Sequence, residues 1–371
     1  MVKIKIPLID LQLRYKKERK DLLKIIDDQL KLGNLVLTKE VRDFEEQIAK
    51  YQNQKFAIGL NSGTDAILMA LWSLGIGKGD EVITTPKSFI ATIGAIHHVG
   101  AIPKLVDIKN DLNIDENLIE NMITKKTKAI IPVHWTGRIC DMKKINSIAK
   151  KHKLIVIEDA AQSIGASKDN YKAGKYSSIA CFSAHPLKNL NGIGDSGFLT
   201  TNNKKLMNKI SLYRNHGLKS RDNVTIFGLN SRLDSINAVV LSYRLKSLRE
   251  NIKVRNKNID IYRNYFSKSE RIIIPSDKPG ELNPYVMFIT QSDKRDKLQK
   301  YLQGQGIQSM VYYGTPLHKH KAYKNYYGSK IKLPNVEKIC KKVLALPHHQ
   351  YLSESDIHFV CEKISNFYKN N

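Results

Sequence analysis

Leu154-Ile155-Val156-Ile157-Glu158-Asp159-Ala160-Ala161-Gln162 is the stretch from which the fold can be read. A short apolar run rich in β-branched residues is a buried strand; this one ends in two carboxylates and turns away through small residues. Apolar runs without alternation belong to parallel sheets covered on both faces. The carboxyl end of such a strand is where open α/β sheets bind ligands. Working outward, the same kind of run recurs at Phe56–Leu60, Glu81–Thr84, Ile102–Asp107, Ala129–Val133, Ser178–Ser183 and Gly197–Thr200. Helical patterns such as Thr64–Leu74 and Met142–His152 lie between them. This alternation predicts an α/β domain with a mostly parallel sheet.

After Arg232 a helical pattern runs to about Phe266, carried by Leu233, Ile236, Val240, Leu241 and Leu245. Strand-like Arg271–Ile274 and Tyr285–Thr290, a helix over 293–305, an extended Gln308–Tyr312 and a closing helix over 354–367 follow. The expected division is a large α/β domain over residues 1–245 and a smaller C-terminal α+β domain over 246–371.

Composition narrows the function. The 371 residues are 42% hydrophobic and 26% charged, ordinary for a globular chain. No apolar run approaches the ~20 residues of a spanning helix, so no membrane role is expected. The opening Met1–Asp10 has neither the apolar core nor the cleavage site of a secretory signal, which points to the cytoplasm. Cys140, Cys181, Cys340 and Cys361 have neither metal-ligand nor disulfide-framework spacing, so no metal is expected. The formal charge of +26 raises the question of nucleic acid. The lysines are dispersed, without a run of five or a recognition motif, so solubility or attraction of an anionic small substrate is the expected role.

Three local motifs carry chemistry. Asn61-Ser62-Gly63-Thr64 joins a strand to a helix, and glycine there lets backbone amides approach an anion. Thr64 alone reads equally as a helix cap. Asp159, at its strand end, neutralises a cationic nitrogen or caps the following segment. Cys181-Phe182-Ser183-Ala184-His185-Pro186-Leu187-Lys188 places one lysine in a loop ahead of the glycines 192, 194 and 197. A lysine withdrawn from water can lose its proton and attack a carbonyl. Together, an anion cradle, a carboxylate and an amine match the needs of pyridoxal 5′-phosphate.

The ordered set of motifs resembles the DegT/DnrJ/EryC1/StrS sugar aminotransferases, a branch of the fold-type I pyridoxal-phosphate enzymes. It runs from Ile6-Pro7-Leu8 and Phe44-Glu45 through Asn61–Thr64, Gly79–Ile83, Glu158–Gln162 and Phe182-Ser183 with Lys188. It continues through Arg214–Gly217, Gly228–Asp234, Tyr312-Tyr313 and Leu346-Pro347. The resemblance implies that Lys188 captures the cofactor aldehyde, Asp159 holds the ring nitrogen and Gln162 the phenolic oxygen. It implies that Gly63, Thr64 and Ser183 hold the phosphate, that Phe89 stacks on the ring, and that Asn230 reaches the cofactor of a second subunit in a homodimer. From the residues alone, Phe89 is also readable as core and Asn230 as a helix cap.

By the same resemblance the expected reaction moves an amino group, from L-glutamate, to a keto sugar. The acceptor is a nucleotide-linked keto-deoxysugar for surface polysaccharide or lipopolysaccharide. A keto sugar phosphate or small phosphorylated ketone, and a non-catalytic cofactor-binding regulator, are the alternatives. Thr38 and Ser196 stand where many relatives carry glycine. Arg138 and Arg214 are candidates to meet an anionic group.

Overall fold

The computed structural model describes residues 3–370. Seven strands form the main sheet: β1 (Phe56–Leu60), β2 (Glu81–Thr84), β3 (Ile102–Leu105), β4 (Thr127–Ile130), β5 (Ile155–Asp159), β6 (Ile179–Ser183) and β7 (Gly197–Thr201). Their spatial order is β1-β7-β6-β5-β4-β2-β3. Strands β3, β2, β4, β5 and β6 pair in parallel, while β7 runs antiparallel between β6 and β1. The fold is the α/β architecture expected of a fold-type I enzyme, and all seven runs read from the sequence form strands within three residues of their expected ends.

Alternate residues explain why both faces are buried. Helices α1 (Leu11–Lys31) and α2 (Lys39–Tyr51) precede the sheet, and in β6 Ile179 and Cys181 join the core beneath α3 (Gly63–Ser73) and α4 (Ile90–His98). Ala180 and Phe182 face the other way, into a core with Phe44, Ile48, Leu241 and Leu248. The partners Phe182 and Phe198 stack with ring centroids 4.8 Å apart, locking the β6–β7 register.

One helix, Ser235–Tyr265, serves two cores. Its first half supplies Ala238, Leu241 and Leu248 to the main sheet. Its second half supplies Ile259 and Tyr262 to a core beneath the antiparallel sheet of Ile272–Ile273, Phe288–Ser292 and Val343–Leu346. Residues 245 and 246 therefore lie within a continuous helix, and we propose residues 1–245 and 246–371 as the functional division. The strand expected from Tyr285 begins only at Phe288, because Tyr285 sits at φ 43°, outside strand geometry. Gln308–Tyr312 contributes a single bridge, Met310 to Ala345, rather than a strand.

Candidate active site

Turns leaving β1, β2, β4, β5 and β6 gather around a cavity of about 390 Å³ at the carboxyl edge of the sheet. Gly63, Thr64, Phe89, Asp159, Gln162, Ser183 and Lys188 all line it. Asn230 does not.

The cradle comes from the β1–α3 turn. Ser62 caps α3, its Oγ accepting the Asp65 amide at 3.0 Å. The amides of Gly63 and Thr64 precede the first intrahelical bonds and have no acceptor within the helix. A Cβ on Gly63 would come within 2.8 Å of Ser183 Cβ, so only glycine lets the helix start approach β6. A Cβ on Gly197 would meet the Ser62 carbonyl carbon at 2.3 Å. Ser231 Oγ donates to Asp65 Oδ2 at 2.7 Å, anchoring the acidic group of this first turn.

The two carboxylates at the end of β5 face opposite ways. Glu158 is buried under the sheet, 2.7 Å from His134 Nε2 and accepting the Gly174 amide at 2.9 Å. Asp159 faces the cavity. Its Oδ2 accepts from Thr92 Oγ1 at 2.6 Å and its Oδ1 from the Ala161 amide at 3.2 Å. Thr92 in turn meets Ser88 Oγ at 2.8 Å. Three residues on, Gln162 Oε1 accepts the Thr136 amide at 2.8 Å, and the Gln162 amide nitrogen has no hydrogen-bond partner among the described residues.

Lys188 sits in a loop pinned at both ends. Ala184 and Ser196 bond across it at 2.8 Å, and Asn189 Nδ2 reaches Pro284 O at 2.7 Å. Its ammonium makes no hydrogen bond or ion pair within the described residues. Burial lowers its pKa from 10.5 to about 8, against the pull of nearby Asp159. At neutral pH about a tenth of such amines are unprotonated and nucleophilic, far more than for a solvated lysine.

Phe89 is 53% exposed, at the cavity mouth rather than in the core, with its ring 5.9 Å from that of Tyr313. Asn230 is exposed, bridges to Asn215, and caps nothing; the cap of the following helix is Asp234. Arg138 is committed to Glu281 (3.4 Å) and Asp277 (3.6 Å), and Arg214 to Glu45 and the Gly59 carbonyl. Neither arginine lines the cavity. Tyr312, part of the Tyr312-Tyr313 motif, and Thr92, which carries no sequence signal of its own, do line it.

This set fits pyridoxal 5′-phosphate. Unpaired helix-start amides suit a phosphate, the Gln162 donor suits a phenolate, Asp159 suits a protonated ring nitrogen, and the unpartnered Lys188 amine suits an aldehyde. No cluster of metal-ligating side chains occurs among the described residues.

The family profile of the DegT/DnrJ/EryC1/StrS aminotransferases matches residues 16–365. A Geobacillus stearothermophilus protein named "Pleiotropic regulatory protein" is 38% identical, over 98% of this chain and 99% of its own. The UDP-2-acetamido-2-deoxy-3-oxo-D-glucuronate aminotransferase of Pseudomonas aeruginosa is 36% identical, over 91% and 93%. The crystal structure of DesV from S. venezuelae superposes with a TM-score of 0.95 at 32% identity, covering 99% of both chains.

Proposed function

This chain belongs to the DegT/DnrJ/EryC1/StrS aminotransferase family, and on that premise we propose that it carries an amino group from L-glutamate to the ketone of a nucleotide-linked sugar. It is an aminotransferase dependent on pyridoxal 5′-phosphate. The observation that carries the assignment of the site is the unpartnered Lys188 amine, sharing one cavity with Asp159 and Gln162.

The bound cofactor supplies an aldehyde that captures amines and a ring that accepts the electron pair left when a carbon loses its proton. The residues of this chain do the rest. Asp159, fixed by Thr92 and the Ala161 amide, would hold the ring nitrogen. Gln162 would donate to the phenolic oxygen, and Gly63, Thr64 and Ser183 would anchor the phosphate. Lys188 Nζ takes the proton from the α-carbon of the donor and returns one to the sugar carbon in the second half-reaction. Phe89 and Tyr313 stand side by side at the mouth, their ring centroids 5.9 Å apart.

The proposal extends to a homodimer in the cytoplasm. Phe227 is 98% exposed and Val224 58%, on the same excursion that carries Asn230, an apolar tip suited to a second copy of this chain. No helix among the described residues is long and apolar enough to cross a membrane. The four cysteines are free and buried, as a reducing compartment keeps them. The acceptor reading draws on the Pseudomonas enzyme, whose name gives a nucleotide-linked 3-oxo sugar.

The test is spectroscopic. Loaded protein given L-glutamate loses the visible absorbance of its Lys188-linked cofactor, and borohydride trapping with peptide mapping tags Lys188. Unchanged absorbance with every amino donor, or a tag elsewhere, overturns the reading. The name of the Geobacillus relative favours a second reading, a cofactor-binding regulator. Full biological activity of a Lys188→Ala protein would establish it.

A further inference from the structure

We propose that a narrow cleft beside Lys188, walled by Arg14, Arg255 and His349, seats a carboxylate of the amino donor; the inference rests on the aminotransferase reading above. The cleft shares Ile9, Leu187 and Lys188 with the main cavity and has room, about 10 Å³, for one water-sized group.

Its walls are built of buried donors short of acceptors. Arg14 is 4% exposed, and among the described residues its side chain bonds only through Nε, to Glu18 Oε1 at 3.0 Å. Arg255 is 8% exposed; its partners are Gln350 Oε1 at 3.0 Å, Asn189 Oδ1 and the Tyr285 carbonyl, all neutral. Arg244, behind them, takes the other oxygen of Glu18 at 2.8 Å. Arg14 and Arg244 thus share the Glu18 carboxylate, and Arg255 bonds no carboxylate among the described residues. Asp10 also lines the cleft, with Oδ1 engaged as the helix cap of Leu13 at 2.7 Å. His349, 4% exposed, accepts the Tyr351 amide on Nδ1 at 3.3 Å, which puts its ring proton on Nε2. That nitrogen has no hydrogen-bond partner; the Pro7 carbonyl acts on the ring without reaching bonding geometry.

Buried donors are ordinarily satisfied, and buried like charges raise each other's cost. Burial, with the charge of Arg14 added, pulls the Arg255 pKa down to about 10. An anion between the two guanidiniums and the His349 N–H relieves both deficits, and a carboxylate matches guanidinium geometry. The amino donor fits best by position. Its amino group must reach the Lys188 site, and its α-carboxylate is attached to the same carbon. A cleft this narrow has room for one carboxylate oxygen and excludes a sugar ring.

Calorimetric titration of the cofactor-loaded protein with glutarate, neutral glutaramide and D-glucuronate reads the site without turnover. Glutarate is expected to bind at least tenfold more tightly than glutaramide, and D-glucuronate not to compete. Arg14→Met is expected to weaken glutarate at least tenfold and to raise the KM for glutamate, leaving kcat of the sugar half-reaction unchanged. Arg14→Lys keeps charge and stem should the methionine variant fail to fold, and is expected to weaken glutarate severalfold. Unaltered glutarate affinity in either folded variant overturns the site, and competition by glucuronate overturns the donor assignment. Borohydride mapping at Lys188 is read separately: a Lys188 tag with Arg14-independent glutarate binding sinks this site alone.

Discussion

Glu158 and Asp159 are chemically almost alike and adjacent, yet the pleat of β5 gives them unlike surroundings. Glu158 goes under the sheet to His134, and Asp159 goes to the cavity floor and Thr92. The same strand-end placement holds Asp159 near Lys188, whose pKa it raises while burial lowers it further, to about 8. The sign is that of a depressed lysine: the neutral, reactive amine grows with pH and is half-formed near 8 rather than near 10.5. In stopped-flow mixing of cofactor-free protein with pyridoxal 5′-phosphate, capture is expected to speed up about tenfold per pH unit below 8 and to level off above it. Asp159→Asn, which removes the raising charge, is expected to move the midpoint down. A midpoint near 10.5 would mean that Lys188 is solvated. Asp159 and Lys188 were legible in the sequence because each is a polar residue at the end of an apolar strand or of its loop. Thr92 and Arg14 were not, since a threonine in a helix and an arginine in a Lys-rich N-terminal segment look like any other until the fold brings them beside Asp159 and Lys188.

Lys87 shows how the elements are tied across the site. It follows β2, has no exposed surface, and donates to the carbonyls of Tyr313 (2.9 Å) and Tyr312 (3.4 Å) while lying 5.0 Å over the Trp135 ring. Burial without a carboxylate partner lowers its pKa. The loop it holds carries Tyr313 at φ 50°, a conformation disfavoured for a residue of this size, next to Phe89 at the cavity mouth. Lys87→Ala is expected to cost about 2–4 kcal/mol in chemical denaturation, through the cavity left and the carbonyls stranded. Hydrogen exchange over residues 311–314 is expected to quicken while β5 stays protected; uniform loss of protection, or none, would refute the tie. The strands of the main sheet were readable because both of their faces are apolar. Val343–Leu346 was missed because four residues before a proline carry too short a pattern. The Lys87 tie was beyond reach because a lone lysine in a chain with Lys+Arg 61 gives no hint that it is buried.

The exposed excursion between Leu218 and Asn230 has little to pack against within its own chain. Its strands Leu218–Ser220 and Asn223–Val224 pair only with each other, and Phe227 and Leu229 project into solvent. In the proposed homodimer a second copy would cover these apolar residues on a chain of +26 charge. Such an arrangement also explains why Asn230, outside its own cavity, carries a family motif. The protein is therefore expected to elute at twice 42.3 kDa, and Phe227→Glu to weaken the dimer at least about 100-fold by burying an unpaired charge. Asn230→Ala is expected to stay dimeric, lose cofactor at least tenfold more readily, and lose most turnover. Subunit exchange supplies the decisive arm. Lys188→Ala and Asn230→Ala proteins, each impaired alone, form mixed dimers in which one of the two sites draws an intact lysine from one chain and an intact asparagine from the other. Random mixing makes half of the dimers mixed, so about a quarter of the parental activity returns if the sites are shared between subunits. If each site is complete within one chain, mixing returns no more than the average of the two variants, and Asn230 is then a surface residue with no part in the neighbouring subunit's chemistry.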